Sequence, residues 1–356
     1  MIHVENSHPK QAFFDREALL LKSGELPLLK PLPMKTCLLF SLLLFTVTAN
    51  AQSLKGITNL RDTSYSNYNA LQSTRQTHPD VVLVKELASK KIGEQRNIPY
   101  GSTGKRDLLL DAFYPKKSSK KPRPAVLVIH GGGWRTGNWS QHIPLAQRLA
   151  ELGYVTFTAE YRLSTEALYP AAVYDLKAAI RWIRAHADQF GVDTTRIASL
   201  GFSAGGQLSA LLGNTNGKPE FEGNGGNANH SSAVQAIVDI DGILAFIHPE
   251  SGEGDDSRST SAATYWFGFV KNENPGLWKQ GSALTYAGET TPPTLFINSA
   301  VERMHAGRED YIAALKPFDI YTEVHTFDNS PHSFCLFTQW FEPTVQYVDG
   351  FLRKVF

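Results

Sequence analysis

The sequence predicts an α/β fold with a mostly parallel central sheet and helices on both of its faces. Short apolar segments alternate with longer helical segments along most of the 356 residues, and this alternation is typical of a parallel sheet. One of the short segments, 125–129, is apolar at every position, as expected for a strand that is buried on both faces. Ligands bind at the carboxyl ends of the strands in such sheets, so we expect the functional residues there.

The first half of the predicted domain contains the clearest elements. Alternating apolar residues predict two strands, and a loop rich in Lys, Ser and Pro follows them at residues 115–124. Pro170 is well suited to the first turn of the long helix that follows it. The predicted strands are 95–100, 107–114, 125–130, 154–159 and 196–200, and the predicted helices are 144–152, 171–187 and 207–212.

Two segments interrupt the alternation in the second half. Residues 213–232 are rich in Gly and Asn and predict a flexible surface insertion, and residues 241–290 form a mixed insertion that carries many aromatic residues. The apolar strand 234–240 lies between them. Regular alternation then resumes, with strands at 294–298 and 321–327 and helices at 308–315 and 341–355.

The N-terminal region has the pattern of a signal peptide that begins at Met34. A basic start, an apolar segment at 37–47 and the small residues Ala49 and Ala51 predict cleavage after Ala51. We therefore expect an exported protein, periplasmic or extracellular, with no stable membrane insertion. The alternative is an anchor helix with a short tail before it. Residues 1–33 are interpreted as a misassigned extension, 34–51 as the signal peptide, 52–80 as a loosely ordered polar lead-in, and 81–356 as the main domain.

Charge and cysteine content narrow the possible partners. The formal net charge is +1 with no long charged block, which argues against nucleic acid and anionic membranes as partners. Cys37 lies in the signal segment, so Cys335 has no intramolecular disulfide partner. The histidines do not fall at metal-ligand spacings. We therefore predict a small-molecule or neutral polymeric ligand, with no metal and no cofactor.

The segment 201–205, Gly-Phe-Ser-Ala-Gly, has the G-x-S-x-G pattern of a nucleophile elbow. It lies between a predicted strand and a predicted helix, as this motif requires. The alternative is a turn rich in Gly and Ser. A serine hydroxyl needs a base to accept its proton, and His332 follows the last predicted strand at the same edge of the sheet. We therefore predict Ser203 as nucleophile and His332 as base.

A glycine-rich loop follows the strand at 125–130, with the sequence His-Gly-Gly-Gly-Trp at 130–134. Backbone N–H groups in such a loop can stabilise the negative charge that develops on an ester carbonyl. We predict an oxyanion hole formed by the amides of Gly132, Gly133 and Ala204. A phosphate loop is the alternative, but no Gly-Lys-Ser/Thr follows.

These motifs, in this order, resemble the α/β-hydrolase superfamily. Within it, the HGGGW and GxSAGG motifs resemble hormone-sensitive-lipase-like esterases and bacterial carbohydrate acetyl, feruloyl and pectin esterases. The resemblance extends from about residue 95 to the C-terminus and implies the same roles for Ser203, His332 and the three oxyanion-hole amides. It also implies that Arg162 and Asp175 form a structural pair.

The sequence departs from this family at the acidic member of the triad. The strand at 294–298 is not followed by the usual aspartate, and Glu302 occupies the matching position. We expect Glu302 to orient His332. Asp239 and Asp241 after the preceding strand are alternatives, with Asp241 the preferred one, and Asp328 or no acid at all also remains open.

The resemblance, the export signal and the near-neutral charge together suggest an esterase that removes acetyl, methyl or feruloyl groups from plant polysaccharides such as pectin or xylan. Trp134 and Trp139 are candidates for the acyl pocket, and Trp266 for a sugar-stacking rim. The aromatic residues of the insertion fit the core of a lid better than a rim. Alternatives are a general esterase for small or lipid esters, a serine peptidase, and an inactive binding protein on the same fold.

Overall fold

An eight-stranded sheet forms the centre of the computed structural model, which describes residues 51–356. Its order is β1-β2-β4-β3-β5-β6-β7-β8. Strands β1 and β2 pair antiparallel with each other, β2 pairs antiparallel with β4, and all remaining pairs are parallel. The strands are β1 (Ile92–Ser102), β2 (Asp107–Pro115), β3 (Arg123–Ile129), β4 (Val155–Ala159), β5 (Val192–Phe202), β6 (Ala236–Ile240), β7 (Thr294–Asn298) and β8 (Thr322–Thr326).

Helices connect these strands and cover both faces of the sheet. They are α1 (Asn67–Thr74), α2 (Ile143–Glu151), α3 (Ala171–Ala185), α4 (Ala187–Phe190), α5 (Ala204–Asn214), α6 (Ala262–Phe267), α7 (Pro275–Gln280), α8 (Arg308–Leu315) and α9 (Thr338–Val355). Short 3₁₀ helices lie between them, including Glu302–His305 after β7 and Phe334–Leu336 before α9. Within residues 51–356, no helix combines the length and the apolar character that a membrane crossing requires.

The core consists of two apolar layers, one on each face of the sheet. Every residue of β4, β6 and β7 is buried, as expected for strands that helices cover on both faces of the sheet. Helices α3 and α5 cover one face, and α2 and α9 cover the other. Because the strands from β3 to β8 are all parallel, the loops after β3, β5, β6 and β7 leave the sheet at the same edge.

The lead-in is better ordered than we expected from its polar sequence. It contains α1, and its first residues bind other parts of the protein: Ser53 N donates to Gly268 O at 2.6 Å, and Gly137 N donates to Asp62 O at 3.0 Å. Residues 52–356 thus form one unit. The expectation of loose order was wrong because backbone hydrogen bonds fix this segment. The polarity of its side chains does not predict such bonds.

The insertion at 213–232 is also packed rather than free. Phe221 is buried against Tyr286, and Arg181 donates to Glu222 at 2.7 Å. Asn216 exchanges two hydrogen bonds with the backbone of Val234. The predicted extension at 1–33 and all of the predicted signal segment except Ala51 lie outside the described residues.

Candidate active site

Ser203 lies at the tight turn between β5 and α5, with backbone angles φ 57° and ψ −122°. The turn requires glycine on both sides. A Cβ atom at Gly201 would lie 1.9 Å from Gly205 O, and one at Gly205 would lie 2.2 Å from Ile129 O. Positive φ is costly for a serine and is typical of functional positions. This geometry places the Ser203 side chain at the carboxyl edge of the sheet.

His332 lies in the loop between β8 and α9 and reaches Ser203. Its Nε2 atom is 2.8 Å from Ser203 Oγ, within the range of a hydrogen bond. The imidazole also packs against the ring of Phe202, with centroids 4.9 Å apart. The structure therefore brings the two residues together as the sequence predicted.

Asp241 contacts the other nitrogen of the same imidazole. It follows β6 directly, and its Oδ2 atom is 2.6 Å from His332 Nδ1. Ser299 donates to the same carboxylate, from its amide to Oδ1 at 2.8 Å and from its hydroxyl to Oδ2 at 2.5 Å. The carboxylate is fully buried, but these donors satisfy its oxygens, as a buried charge requires.

The electrostatics keep Asp241 ionised. Burial by itself raises the pKa of this carboxyl, but the nearby imidazole of His305 and the hydrogen bonds from His332 and Ser299 outweigh burial and lower the pKa to about 2. An ionised carboxylate only accepts hydrogen bonds. His332 Nδ1 must therefore carry its proton and donate it to Asp241, which leaves Nε2 free to accept the proton of Ser203.

The expectation that Glu302 contacts His332 was wrong. Glu302 is exposed on its 3₁₀ helix, and no hydrogen bond joins it to His332. The place beside His332 is taken by Asp241, which follows β6. The amide and hydroxyl of Ser299, directly after β7, both donate to its carboxylate. Asp328 is exposed as well. Asp239 is buried in β6, where burial raises its pKa and its Oδ1 accepts from Gly242 N at 2.7 Å.

The glycine loop after β3 runs directly beside the nucleophile. A Cβ atom at Gly131 would lie 3.1 Å from Ser203 Cβ, so only glycine allows this approach. Gly132 and Gly133 have φ angles of 121° and 59°. Within residues 51–356, the N–H groups of Gly132, Gly133 and Ala204 donate to no protein acceptor. Such free amides beside a serine are suited to an oxyanion.

A cavity of about 150 Å³ opens at Ser203. Its apolar wall includes Ile243, Ala262 and Met304, and two charged side chains, Glu253 and Arg303, also line it. Of the predicted oxyanion-hole residues, Gly133 and Ala204 face this cavity, together with Trp134 and His332. In the described part of the chain, no group of three or more His, Cys, Asp or Glu side chains is arranged to hold a metal ion.

Comparison with known families agrees with this geometry. The model of the BD-FAE family matches residues 110–304, more than half of the chain. The chain belongs to the BD-FAE family. The match begins in β2 and ends in the 3₁₀ helix after β7, so that it contains the glycine loop, Ser203 and Asp241.

Relatives of this BD-FAE family member include named esterases. Esterase LipC of Mycobacterium tuberculosis is 29% identical over 223 residues, which cover 60% of this chain and 52% of LipC. Carboxylesterase NlhH of the same species is 36% identical over 120 residues, which cover 33% of this chain and 37% of NlhH. The chain thus spans about half the length, or less, of these curated relatives.

Solved structures of the same fold include two esterases. A truncated form of a carbohydrate esterase from gut microbiota has a TM-score of 0.63 at 23% sequence identity, and the match covers 76% of this chain and 100% of the esterase chain. The native esterase Est2 of Thermogutta terrifontis has a TM-score of 0.61 at 24% sequence identity, and the match covers 77% of this chain and 95% of the Est2 chain. The fold of this BD-FAE family member is therefore that of the α/β-hydrolases, as predicted.

Only one of the three predicted pocket tryptophans lines the cavity of this BD-FAE family member. Trp134 faces it, and its Nε1 donates to Gln207 Oε1 at 2.8 Å. Trp266 does not form a rim, because it is fully buried and stacks behind Trp134 with centroids 5.0 Å apart. Trp139 points elsewhere, since the guanidinium of Arg61 covers its ring at 4.7 Å. Phe267 and Trp278 are also buried, so these insertion residues are core.

Arg162 and Asp175 of this BD-FAE family member form the expected structural pair. The distance from Nη2 to Oδ1 is 2.7 Å, and the distance from Nε to Oδ2 is 2.9 Å.

The sequence did not predict any role for His305. Its Nε2 donates to Ser299 O at 2.9 Å and lies 3.6 Å from Asp241 Oδ1. Nothing in its spacing indicated this, because the contact depends on how the loop after β7 folds back.

Proposed function

We propose that this protein is a serine carboxylester hydrolase with Ser203 as nucleophile, His332 as general base and Asp241 as the acid that orients the base. One observation carries the proposal: His332 lies between Ser203 and the buried, ionised Asp241, with contacts of 2.8 and 2.6 Å. The esterase names of the relatives support the same reaction.

The geometry suits a two-step acyl transfer. Ser203 Oγ attacks the ester carbonyl while His332 Nε2 takes its proton. The amides of Gly133 and Ala204, with Gly132 beside them, stabilise the oxyanion, and each such donor is typically worth about 3 kcal/mol. His332 then protonates the alcohol as it leaves. In the second step a water molecule, activated by the same imidazole, releases the acid and restores Ser203.

The size of the cavity indicates a small acyl group. A cavity of about 150 Å³ is close to the volume that holds one benzene molecule. An acetyl group fits such a space, whereas a feruloyl group, with a substituted ring and a propenoyl chain, exceeds it. We therefore favour acetyl esters over feruloyl esters.

A carbohydrate ester is the proposed natural substrate. A solved structure of the same fold is named a carbohydrate esterase, and the near-neutral charge of the chain fits acetylated xylan better than acetylated pectin, because the galacturonate units of pectin are anionic. The signal-peptide pattern supports export, where such polymers would be met. Hydrolysis of simple small esters is a second candidate, which the small and mainly apolar cavity wall favours.

An inactive binding protein no longer has support from the sequence. That alternative was based only on the missing aspartate after β7. The contact between His332 and Asp241, which follows β6, supports an active site with an acid.

Product analysis tests this proposal. The protein and its Ser203→Ala variant are incubated with acetylated, methyl-esterified and feruloylated polysaccharides, and acetate, methanol and ferulate are measured together. We expect acetate release that depends on Ser203. Release of ferulate or methanol alone would contradict the acetyl preference, and no Ser203-dependent release from any polymer would contradict a polysaccharide substrate.

A further inference from the structure

Two oppositely charged side chains also line the cavity and are not used by the proposed triad. They come from different segments: Glu253 belongs to the insertion after β6, and Arg303 to the 3₁₀ helix after β7. The only hydrogen bond between them joins Arg303 Nη1 to Glu253 Oε1 at 3.4 Å. Charge-assisted hydrogen bonds are usually 2.7–2.9 Å long, so the ion pair between Arg303 and Glu253 is a weak one.

The other ion pairs between an arginine and a carboxylate within residues 51–356 are tighter. Arg162 binds Asp175 through two nitrogens, with a shortest distance of 2.7 Å. Arg181 likewise binds Glu222 at 2.7 Å. By contrast, Arg303 makes no side-chain hydrogen bond within residues 51–356 other than the 3.4 Å contact. Most of its five N–H donors are thus available to a ligand.

Glu253 is the better fixed of the two side chains. The Glu253 side chain is only 16% exposed, and Lys271 Nζ fixes its backbone by donating to Glu253 O at 2.7 Å. The stem of Arg303 passes close to Gly252, where an added Cβ would lie 3.5 Å from Arg303 Cδ. The Arg303 side chain is 53% exposed, so its guanidinium can be reached by a ligand.

The combination of charges selects the ligand chemistry. A substrate carboxylate beside Arg303 would also meet the buried carboxylate of Glu253, and a substrate ammonium would meet Arg303, so each would be repelled by one partner. Neighbouring hydroxyl groups have no such conflict, because each hydroxyl both donates and accepts. One can donate to Glu253 while the next accepts from Arg303. Burial raises the pKa of Glu253, and the nearby charge of Arg303 acts in the opposite direction.

We infer that Glu253 and Arg303 form a specificity-determining pair that binds neighbouring hydroxyl groups on the alcohol side of the ester. The pair lines the same cavity as Ser203 and His332, and the Arg303 side chain is 53% exposed. A sugar bound to the pair therefore stays at the open side of the cavity, and only its ester group reaches the nucleophile. The inference rests on the proposed esterase function and extends it from the acyl group to an uncharged polyol as the leaving alcohol.

The test compares three acetate esters. One is a monoacetate of methyl β-xylopyranoside with free neighbouring hydroxyls, the second is the same ester with those hydroxyls capped as methyl ethers, and the third is 4-nitrophenyl acetate. The variants are Glu253→Gln and Arg303→Met. Glu302→Gln is the matched control, since Glu302 is next to Arg303 on the same 3₁₀ helix but does not line the cavity.

The measured quantity is the ratio of kcat/KM for the sugar ester to kcat/KM for 4-nitrophenyl acetate. A hydrogen bond to a charged group contributes roughly 10- to 100-fold, so we expect each cavity variant to lower this ratio by roughly that factor. Capping the hydroxyls should lower the ratio of the unmodified protein similarly, and Glu302→Gln should leave it unchanged.

Ratios that stay within threefold in both cavity variants would overturn the inference. A fourth ester, the acetate of a methyl galacturonoside, tests for recognition of a carboxylate. An Arg303→Met effect confined to this ester would also overturn the inference. If the unmodified protein hydrolyses none of these esters in a Ser203-dependent way, the proposed function itself fails, and the inference fails with it.

Discussion

The Nδ1 atom of His332 lies 2.6 Å from Oδ2 of Asp241, a residue 91 positions earlier in the chain. This contact joins the loop after β8 to the end of β6, two strands that are separated in the sheet by β7. It makes Asp241 the acid of the proposed triad. Ser299, at the end of the intervening strand, donates two hydrogen bonds to the same carboxylate and so fixes its orientation.

Replacement of Asp241 should cripple hydrolysis. In Asp241→Asn, the side chain no longer holds His332 in the tautomer that accepts a proton from Ser203, and we expect kcat for 4-nitrophenyl acetate to fall roughly 10³- to 10⁴-fold. The matched control is Glu302→Gln, which should keep kcat within about twofold because its side chain is exposed. The reverse pattern, with Glu302→Gln impaired and Asp241→Asn active, would show that the acid is misassigned.

Acid stability should also report on Asp241. Its pKa is lowered to about 2 in the folded protein, against about 3.9 in an unfolded chain. A lowered pKa contributes stability that is present above the unfolded value and is lost as pH falls towards the folded value. The contribution is about 2 kcal/mol at neutral pH, and about half of it should be lost by pH 3.

This pH dependence is measured as the difference in free energy of unfolding in urea between the unmodified protein and Asp241→Asn, at pH 6, 4 and 3. The difference should shrink as pH falls. Asp239→Asn is a control of opposite sign, because burial raises the pKa of Asp239, and its difference should grow as pH falls. An Asp241 difference that is constant over this range would rule out a lowered pKa.

The lead-in should contribute to stability, because it connects α6 with the segment after the glycine loop. Gln52 Nε2 donates to Phe267 O, at the end of α6, at 3.0 Å, and Asp62 O accepts from Gly137 N at 3.0 Å, just after the glycine loop. With about 1 kcal/mol for each hydrogen bond, removal of residues 52–62 should lower the free energy of unfolding by roughly 2–4 kcal/mol. Thermal denaturation followed by circular dichroism measures the effect.

Leu54→Ala is the control for the lead-in, because Leu54 is 68% exposed and its removal should change little. A truncated protein that melts at the same temperature as the unmodified one would mean that the observed hydrogen bonds contribute no net stability.

Local patterns were sufficient to predict most of the sheet and two members of the proposed triad. The centre of β7, residues 295–297, is apolar and buried, so its sequence identifies it as a strand. Ser203 lies in a turn that only its glycine neighbours allow, and the motif records that requirement directly. His332 was found because it follows the last parallel strand, which brings it to the same edge of the sheet.

The sequence alone could not decide between Asp241 and Glu302 as the acid, because β6 and β7 both end beside His332. Which strand supplies the acid depends on the direction of the loop after β7, where Ser299 faces Asp241 and Glu302 turns to solvent. Glu253 was missed for a related reason. The path of the insertion is set by long-range packing around Trp278, and no local periodicity describes it.

The central claim is that Ser203 is the nucleophile of an esterase, and the most direct measurement is kcat/KM for 4-nitrophenyl acetate in the unmodified protein and in Ser203→Ala. We expect the unmodified protein to hydrolyse the ester and the variant to lose at least 10³-fold, while circular dichroism shows the same fold in both. Equal rates in the two proteins would contradict the account.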